Sequence, residues 1–339
     1  NMKFIEKYKN ENDELKFTVN NKDTIKLSFV NALRRIILSE IPVYVLDNID
    51  FIENNSSLNN EFLKRRLSLL PVLFKENDEY DDLTLELNYN NSEEYIKTIY
   101  MHDFTVVNSN LKINEIIRFP KILFTKLKEG NKIHFKGKMV LGTAKNKGSA
   151  YSPVNIVTIR FEKDHKQIKN IIKDIKDPFK KDNFIKYDSN RIYLKNKKDE
   201  PEKYNITIEG SGIMNSKNIL IKSLEVLYNK INNVSEALQN EDNDYLKLVN
   251  QESSLGGIDI IITNEDDTLG NILSSYILED KEVKFCSYNI PHPLINELKI
   301  RLTLNKSKDK KDYIKCILNG CNNIKKIINT FKKEVESFS

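Results

Sequence analysis

Two stretches about 240 residues apart repeat one device, and internal repetition decides what fold to look for. The first is Asn31-Ala32-Leu33-Arg34-Arg35-Ile36-Ile37-Leu38; the second is Thr268-Leu269-Gly270-Asn271-Ile272-Leu273-Ser274-Ser275-Tyr276-Ile277-Leu278. Aligned on Asn31 and Asn271, Phe29 meets Leu269, Leu33 meets Leu273, Ile36 meets Tyr276 and Ile37 meets Ile277. Ahead of each lies a segment apolar at every second residue, Leu15–Val19 and Ile258–Ile262, the period of a half-buried strand. Each copy closes with a further strand, Tyr204–Ile208 or Leu298–Leu304, and a long helix.

Those helices carry matching stripes. Leu220, Leu224, Leu227, Ile231, Val234 and Leu238 alternate by four and three, as do Ile314, Ile317, Cys321, Ile324, Ile328, Phe331 and Val335. This spacing lets one helix lie along another at a shallow angle. Burying six such side chains contributes on the order of 10 kcal/mol before chain entropy is subtracted. Two unrelated amphipathic helices on separate sheets are the alternative, but the shared order of strand, helix, strand and long helix favours pairing. The side chains expected to pair are Phe29, Leu33, Ile36, Leu220, Leu224, Leu227 and Ile231 with Leu269, Leu273, Tyr276, Ile317, Ile324, Ile328 and Phe331. The expected fold is α+β, two pseudo-symmetric modules of antiparallel sheet plus helices, the first interrupted by a mostly β insert. The division is 1–50 with 204–250, an insert over 51–203, and 255–339.

Composition narrows the function more than it names it. At 339 residues there is chain for two or three domains, and 54 Lys+Arg against 49 Asp+Glu leave only +5. So mild a charge does not by itself point to nucleic acid. Cys286, Cys316 and Cys321 form no CxxC pair and read as buried reduced thiols. No apolar run spans a membrane, and the start shows no signal peptide, with Met2 reading as the natural first residue after an extraneous Asn1.

No catalytic signature can be assembled. There is no phosphate-binding glycine loop; Gly210-Ser211-Gly212 follows a strand without the further glycines of a dinucleotide fingerprint. The histidines His102, His134, His165 and His292 lack metal-ligand spacing. Glu265-Asp266-Asp267 precedes Thr268 and fits helix capping better than a magnesium site.

Within the insert, Leu83–Leu87, Ile133–Val140 and Val154–Ile159 read as strands, and Glu61–Leu70 as a short helix ended by Pro71. The Gly142–Pro153 loop is basic and reads as flexible, most simply a solvated lysine loop. Lys163–Lys203 is dense in Lys and Asp and reads as surface or loosely ordered.

Several motifs in order carry a resemblance. Asn31-Ala32-Leu33-Arg34-Arg35, Glu40-Ile41-Pro42, Asn55-Ser56-Ser57, Glu61, Arg66-Leu67 and Leu70-Pro71 resemble the larger α-like assembly subunits of RNA polymerases: bacterial α, archaeal D and their eukaryotic counterpart. The Gly142–Pro153 loop and Ile208-Glu209-Gly210-Ser211-Gly212 are similar too. Glu265 to Asn271, then Tyr288 and Pro291-His292-Pro293-Leu294, resemble the smaller α-like subunit, archaeal L. The resemblance covers nearly the whole chain and implies a fused pair, an arrangement of large cytoplasmic DNA viruses. Its modules would then be α-subunit-type dimerisation modules.

It implies a non-catalytic assembly platform that binds the two largest, β-like and β′-like, subunits and small accessory subunits, without sequence-specific nucleic-acid binding and without a membrane. The location implied is intracellular: host cytoplasm and virion for a virus, nucleus or cytoplasm otherwise. Asn31, Arg34, Arg35 and Arg66 are the expected large-subunit contacts; arginine suits interface carboxylates and carbonyls, although a snorkelling surface arginine looks the same in sequence. Several cellular larger subunits carry a zinc loop or an iron–sulfur cluster in the insert. This insert has no cysteine, so no cofactor is expected. A histidine often found in the Gly142–Pro153 loop is replaced near Lys147, and Ser274 stands where the small-subunit motif has arginine, which makes the arginine contact one-sided.

Two other classes compete: a nucleic-acid-binding module using the Lys-rich 163–203 region, and an unrelated self-associating structural protein. Strongly salt-dependent DNA affinity would mark the first. Failure to co-purify with large polymerase subunits would mark the second.

Overall fold

The computed structural model describes residues 3–21, 23–74, 80, 83–240, 244–250, 256–292, 294–306 and 309–338. The chain opens with a hairpin of β1 (Ile5–Glu11) and β2 (Glu14–Asn20), followed by α1 (Leu27–Ser39). Asn12 and Asp13 turn the hairpin with φ of 49° and 62°. Both lie in the left-handed region that a tight hairpin turn needs and that Asn and Asp tolerate.

The chain then leaves for the insert: β3 (Val43–Asn54), α2 (Asn60–Ser68), β4 (Thr84–Asn90), β5 (Lys97–Tyr100), β6 (Thr105–Val106), α3 (Ile113–Ile116), β7 (Leu123–Leu127) and β8 (Lys132–Gly142). Its sheet runs β3-β8-β4-β6, with β5 and β7 as a separate pair. Leu46, Leu63, Leu67, Phe124 and Phe135 centre a core of its own. After α4 (Ala144–Lys147) come β9 (Val154–Phe161), α5 (His165–Asp174), α6 (Pro178–Lys186), β10 (Lys203–Gly210) and α7 (Ser216–Ala237). The second module is β11 (Leu246–Asn250), β12 (Ile258–Thr263), α8 (Asp267–Ile277), β13 (Val283–Asn289), β14 (Glu297–Leu304) and α9 (Lys310–Ser337).

The two modules have the same topology. One sheet runs β1-β2-β10-β9 and the other β11-β12-β14-β13, all pairs antiparallel. In each, a hairpin is followed by a helix, two more strands and a long helix. The repeat is therefore one strand richer at both ends than strand, helix, strand, long helix. The sequence expectation put 154–159 in the insert, but β9 hydrogen-bonds to β10 over Val154–Phe161 and belongs to the first module's sheet. In turn β3, which starts at Val43, pairs with β8. Val43 and Val45 enter the module core while Tyr44 and Leu46 enter the insert core, because alternate residues of a strand face opposite sides.

Two further expectations change. The Gly142–Pro153 segment holds the helical turn α4 with Tyr151 buried, not a loose loop. Within 163–203, α5 is started by Asp164 and α6 by Asp177 with Pro178 in its first turn, so much of the stretch is helical. Between the modules 241–243 and 251–255 lie outside the described residues, as do Asn1, Met2 and Pro293.

Candidate assembly surfaces

The first surface is internal. A single continuous core takes Phe29, Leu33 and Ile36 from α1 and Leu220, Leu224, Leu227 and Ile231 from α7. It takes Leu269, Leu273 and Tyr276 from α8, and Ile317, Ile324, Ile328 and Phe331 from α9. The structure brings all fourteen expected pairing residues into that core. Helices α1, α7, α9 and α8 touch in a closed ring, α1 on α7, α7 on α9, α9 on α8 and α8 on α1. A cluster of rings, Phe17 and Phe29 edge-on to Phe331, crosses from one module to the other. Gly320 permits the α8–α9 approach: a Cβ there would sit 2.7 Å from Ile277 Cγ1.

Where α1 meets α8 the pseudo-symmetry reaches single hydrogen bonds. Ser28 Oγ lies 2.6 Å from Ser275 Oγ, and Arg35 Nε donates to Thr268 Oγ1 at 2.8 Å. Under the Asn31–Asn271 alignment Ser28 corresponds to Thr268 and Arg35 to Ser275, so these are two copies of one contact. Arg35 is thus turned toward the second module, where Asp266 also lies 3.6 Å from it. Thr268 and Asp266 supply acceptors for it within the chain, while 38% of its side chain stays exposed. Tyr276 hydroxyl donates to Thr24 O and accepts from Lys26 N, and Lys26 Nζ pairs with Glu279.

Beside this seam lies a charged cluster that joins two motif residues, Glu40 and Glu265, through a lysine outside every motif. Lys230 of α7 sits 2.8 Å from Glu40 and 2.7 Å from Glu265, one carboxylate from each module. The side chains of both glutamates are 8% exposed and that of Lys230 is 14% exposed. Burial works against the lysine's charge, but Glu265 and Glu40 together hold its pKa above the ordinary range. Burial pushes the Glu265 carboxyl up, and Lys230 offsets only part of that. Next to it Asp266 accepts the Thr268 N–H as the N-cap of α8 and pairs with Lys145 of α4 at 2.9 Å. Burial opposes its charge, yet Lys145 and Thr268 pull its pKa down to about 2. So Asp266 caps, as read from sequence, while Glu265 turns inward to Lys230. Lys145, assigned to a solvated loop, reaches across to the second module.

A third contact joins the chain's two ends. Glu334 of α9 accepts from Phe4 N–H at 2.8 Å and Ile5 N–H at 2.9 Å, Tyr8 stacks on Phe338 at 4.4 Å, and Lys217 Nζ donates to Phe338 O. A glutamate near the end of a lysine-rich helix gives no signal of this in sequence.

The remaining expected contact residues are half-buried. Arg34 donates to Asn31 Oδ1 at 3.4 Å, its one hydrogen bond among the described residues. Both line a groove of about 750 Å³ with Leu27, Asn271, Leu278 and β9. Arg66 is elsewhere: on α2 it donates to Leu123 O at 2.6 Å and ties α2 to the insert. The groove therefore gathers Asn31 and Arg34, but neither Arg35 nor Arg66. Among the described residues no group of three or more His, Cys, Asp and Glu is arranged to hold a metal ion, and no helix is long and apolar enough to cross a membrane.

Each half matches a family model described as the RNA polymerase Rpb3/Rpb11 dimerisation domain, one model over residues 22–231 and a second over 257–334. The chain belongs to this family. The two matched stretches fall on the two modules, the first spanning the insert. Residues of the chain are 32% identical over 140 positions to DNA-directed RNA polymerase subunit Rpo3 of Thermococcus kodakarensis, covering 40% of this chain and 51% of that one. They are 26% identical over 171 positions to DNA-directed RNA polymerase II subunit rpb3 of Dictyostelium discoideum, 45% and 55% of the two chains. A third relative is DNA-directed RNA polymerases I and III subunit RPAC2 of Saccharomyces cerevisiae, 43% identical over 63 positions, 18% and 44% of the chains. The chain spans about half the length of these curated relatives. In this Rpb3/Rpb11-type chain, two dimerisation domains share one polypeptide and one core.

Proposed function

We propose that this chain is the non-catalytic assembly platform of a multisubunit DNA-directed RNA polymerase, a pseudo-heterodimer fused in one chain that binds the two large subunits and small accessory subunits. One observation carries the reading: two modules of identical topology, each matching the Rpb3/Rpb11 dimerisation domain, close on a single core. Three units follow from the strand pairing: the first module with β9, β10 and α7, the insert from β3 to β8, and the second module from β11 onward. Asn31 and Arg34 are the contacts offered to a large subunit. Arg35 acts between the modules and Arg66 within the insert. The place of action is intracellular, the host cytoplasm and virion if the source is a large DNA virus.

Affinity purification of the chain from its native source, with mass identification of what accompanies it, tests the reading. Two subunits large enough to be polymerase β-like and β′-like chains are expected in stoichiometric amount. Their absence would sink the proposal.

A further inference from the structure

The groove beside α1 has one wall of a particular kind. β9 is the last strand of its sheet, so among the described residues one of its edges has no strand beside it. The pairing register fixes which groups line that edge. Glu162 N–H donates to Lys203 O, and residues in this register oppose each other as 161 to 204, 159 to 206 and 157 to 208. In an antiparallel ladder, opposed pairs alternate between those that exchange both hydrogen bonds and those that exchange none. Counting from the bonded pair 162–203, the N–H and C=O of Val157, Ile159 and Phe161 point away from β10. These three residues line the groove. Among the described backbone hydrogen bonds outside helices and ladders, none uses their N–H or C=O groups.

The same groove is lined by Leu27 of α1, 43% exposed, and Leu278 just past α8, 49% exposed. Arg34 lines it too, and its described hydrogen bond is the long one to Asn31. Lys26 and Glu200 also line the groove, so its wall is mixed, and the permanently charged guanidinium of Arg34 suits a further carboxylate. The N–H and C=O row along β9 calls for another extended backbone. The geometry points to strand addition: an extended segment of a large polymerase subunit lies along β9, pairs with Val157, Ile159 and Phe161, seats apolar side chains on Leu27 and Leu278, and presents Asp or Glu to Arg34. This rests on the assembly-platform reading and gives the mode of contact for the surface that carries Asn31 and Arg34.

The test uses the full chain co-expressed with the two large polymerase subunits of its own source. Proline is tolerated on an edge strand where its missing N–H faces outward, so Val157→Pro with Ile159→Pro removes two donors from the groove while leaving the β10 ladder intact. The double variant is expected to capture about tenfold less large subunit or worse, as befits two lost hydrogen bonds, while Val157→Ala with Ile159→Ala keeps most of the capture. Hydrogen exchange on the wild-type chain is the second measurement: segment 154–161 should exchange far more slowly in the assembly than alone. Wild-type capture matched by the proline variant, or unchanged exchange at 154–161 on assembly, overturns strand addition and leaves the platform reading standing. Failure of the wild-type chain to capture either large subunit overturns both. A chain that is dimeric alone and protected at 154–161 would mean that β9 pairs with a second copy, which also overturns the proposal.

Discussion

Lys230 shows how much one side chain decides where the modules meet. It is placed between Glu40 and Glu265, and replacing it leaves two buried carboxylates facing each other. Losing one partner from a buried ionic cluster costs about 3–5 kcal/mol, so Lys230→Met is expected to lower the urea midpoint by that much stability near neutral pH. The loss should shrink as the solution is acidified, since Glu265, already held above the usual carboxylate range, takes up a proton early. A pH-independent loss would contradict this account. Asp266 runs the other way. Its pKa lies at about 2 against an ordinary 3.8, so its contribution is present above 3.8 and drains away as pH falls toward 2. That drop is worth about 2 kcal/mol. Asp266→Asn keeps an N-cap but loses the ion pairs, and should flatten the acid limb of the stability curve between pH 4 and 2; an unaltered limb would count against the assignment.

At the scale of elements, helix-to-helix distance is set by small residues where helices cross. Gly320→Ala pushes a methyl against Ile277 and its backbone, an overpacking expected to cost about 1–3 kcal/mol, readable as a fall in thermal midpoint. Leu227 is fully buried where α7 crosses into the shared core, and Leu227→Ala is expected to cost about 2–5 kcal/mol. The stripes holding Leu227 and Ile324 were legible because helical spacing of apolar residues survives whatever the partner is. Edge strands β1 and β11 were not: both alternate weakly, and β11 is short. β9 was legible as a strand but not as a member of the first sheet, since pairing is a property of space and the insert separates it from α1 by more than a hundred residues. The partners of Arg35 within the chain were hidden for a related reason. Its direction off the helix is clear in sequence, but Thr268 and Asp266, its acceptors, lie on a distant element. The charged cluster at Lys230 was not legible either: Glu40 and Glu265 stand in motifs, but only folding joins them through Lys230.

For the whole molecule, two separate cores predict two responses. Leu227→Ala should lower the unfolding of the two modules together and leave that of the insert in place; Phe124→Ala, buried in the insert core, should do the reverse. Segment-resolved hydrogen exchange in rising urea distinguishes them, and a single transition moved equally by both variants would refute the division. Closure within one chain also predicts a mass near one chain by light scattering at micromolar protein, because tethering supplies an effective concentration on the order of millimolar.

The contact of Glu334 with the N–H groups of Phe4 and Ile5 spans 330 residues of sequence. At about 5–20 residues per second on the ribosome, some 15 to 65 seconds separate the making of the strand from the making of its clasp. Throughout that interval the start of β1 waits, since the carboxylate that holds it has not been synthesised. A prematurely terminated chain can hold every motif of the first module and still leave that strand unfastened. The fold thereby ties the fastening of its earliest strand to the synthesis of a single carboxylate, Glu334, 330 residues later.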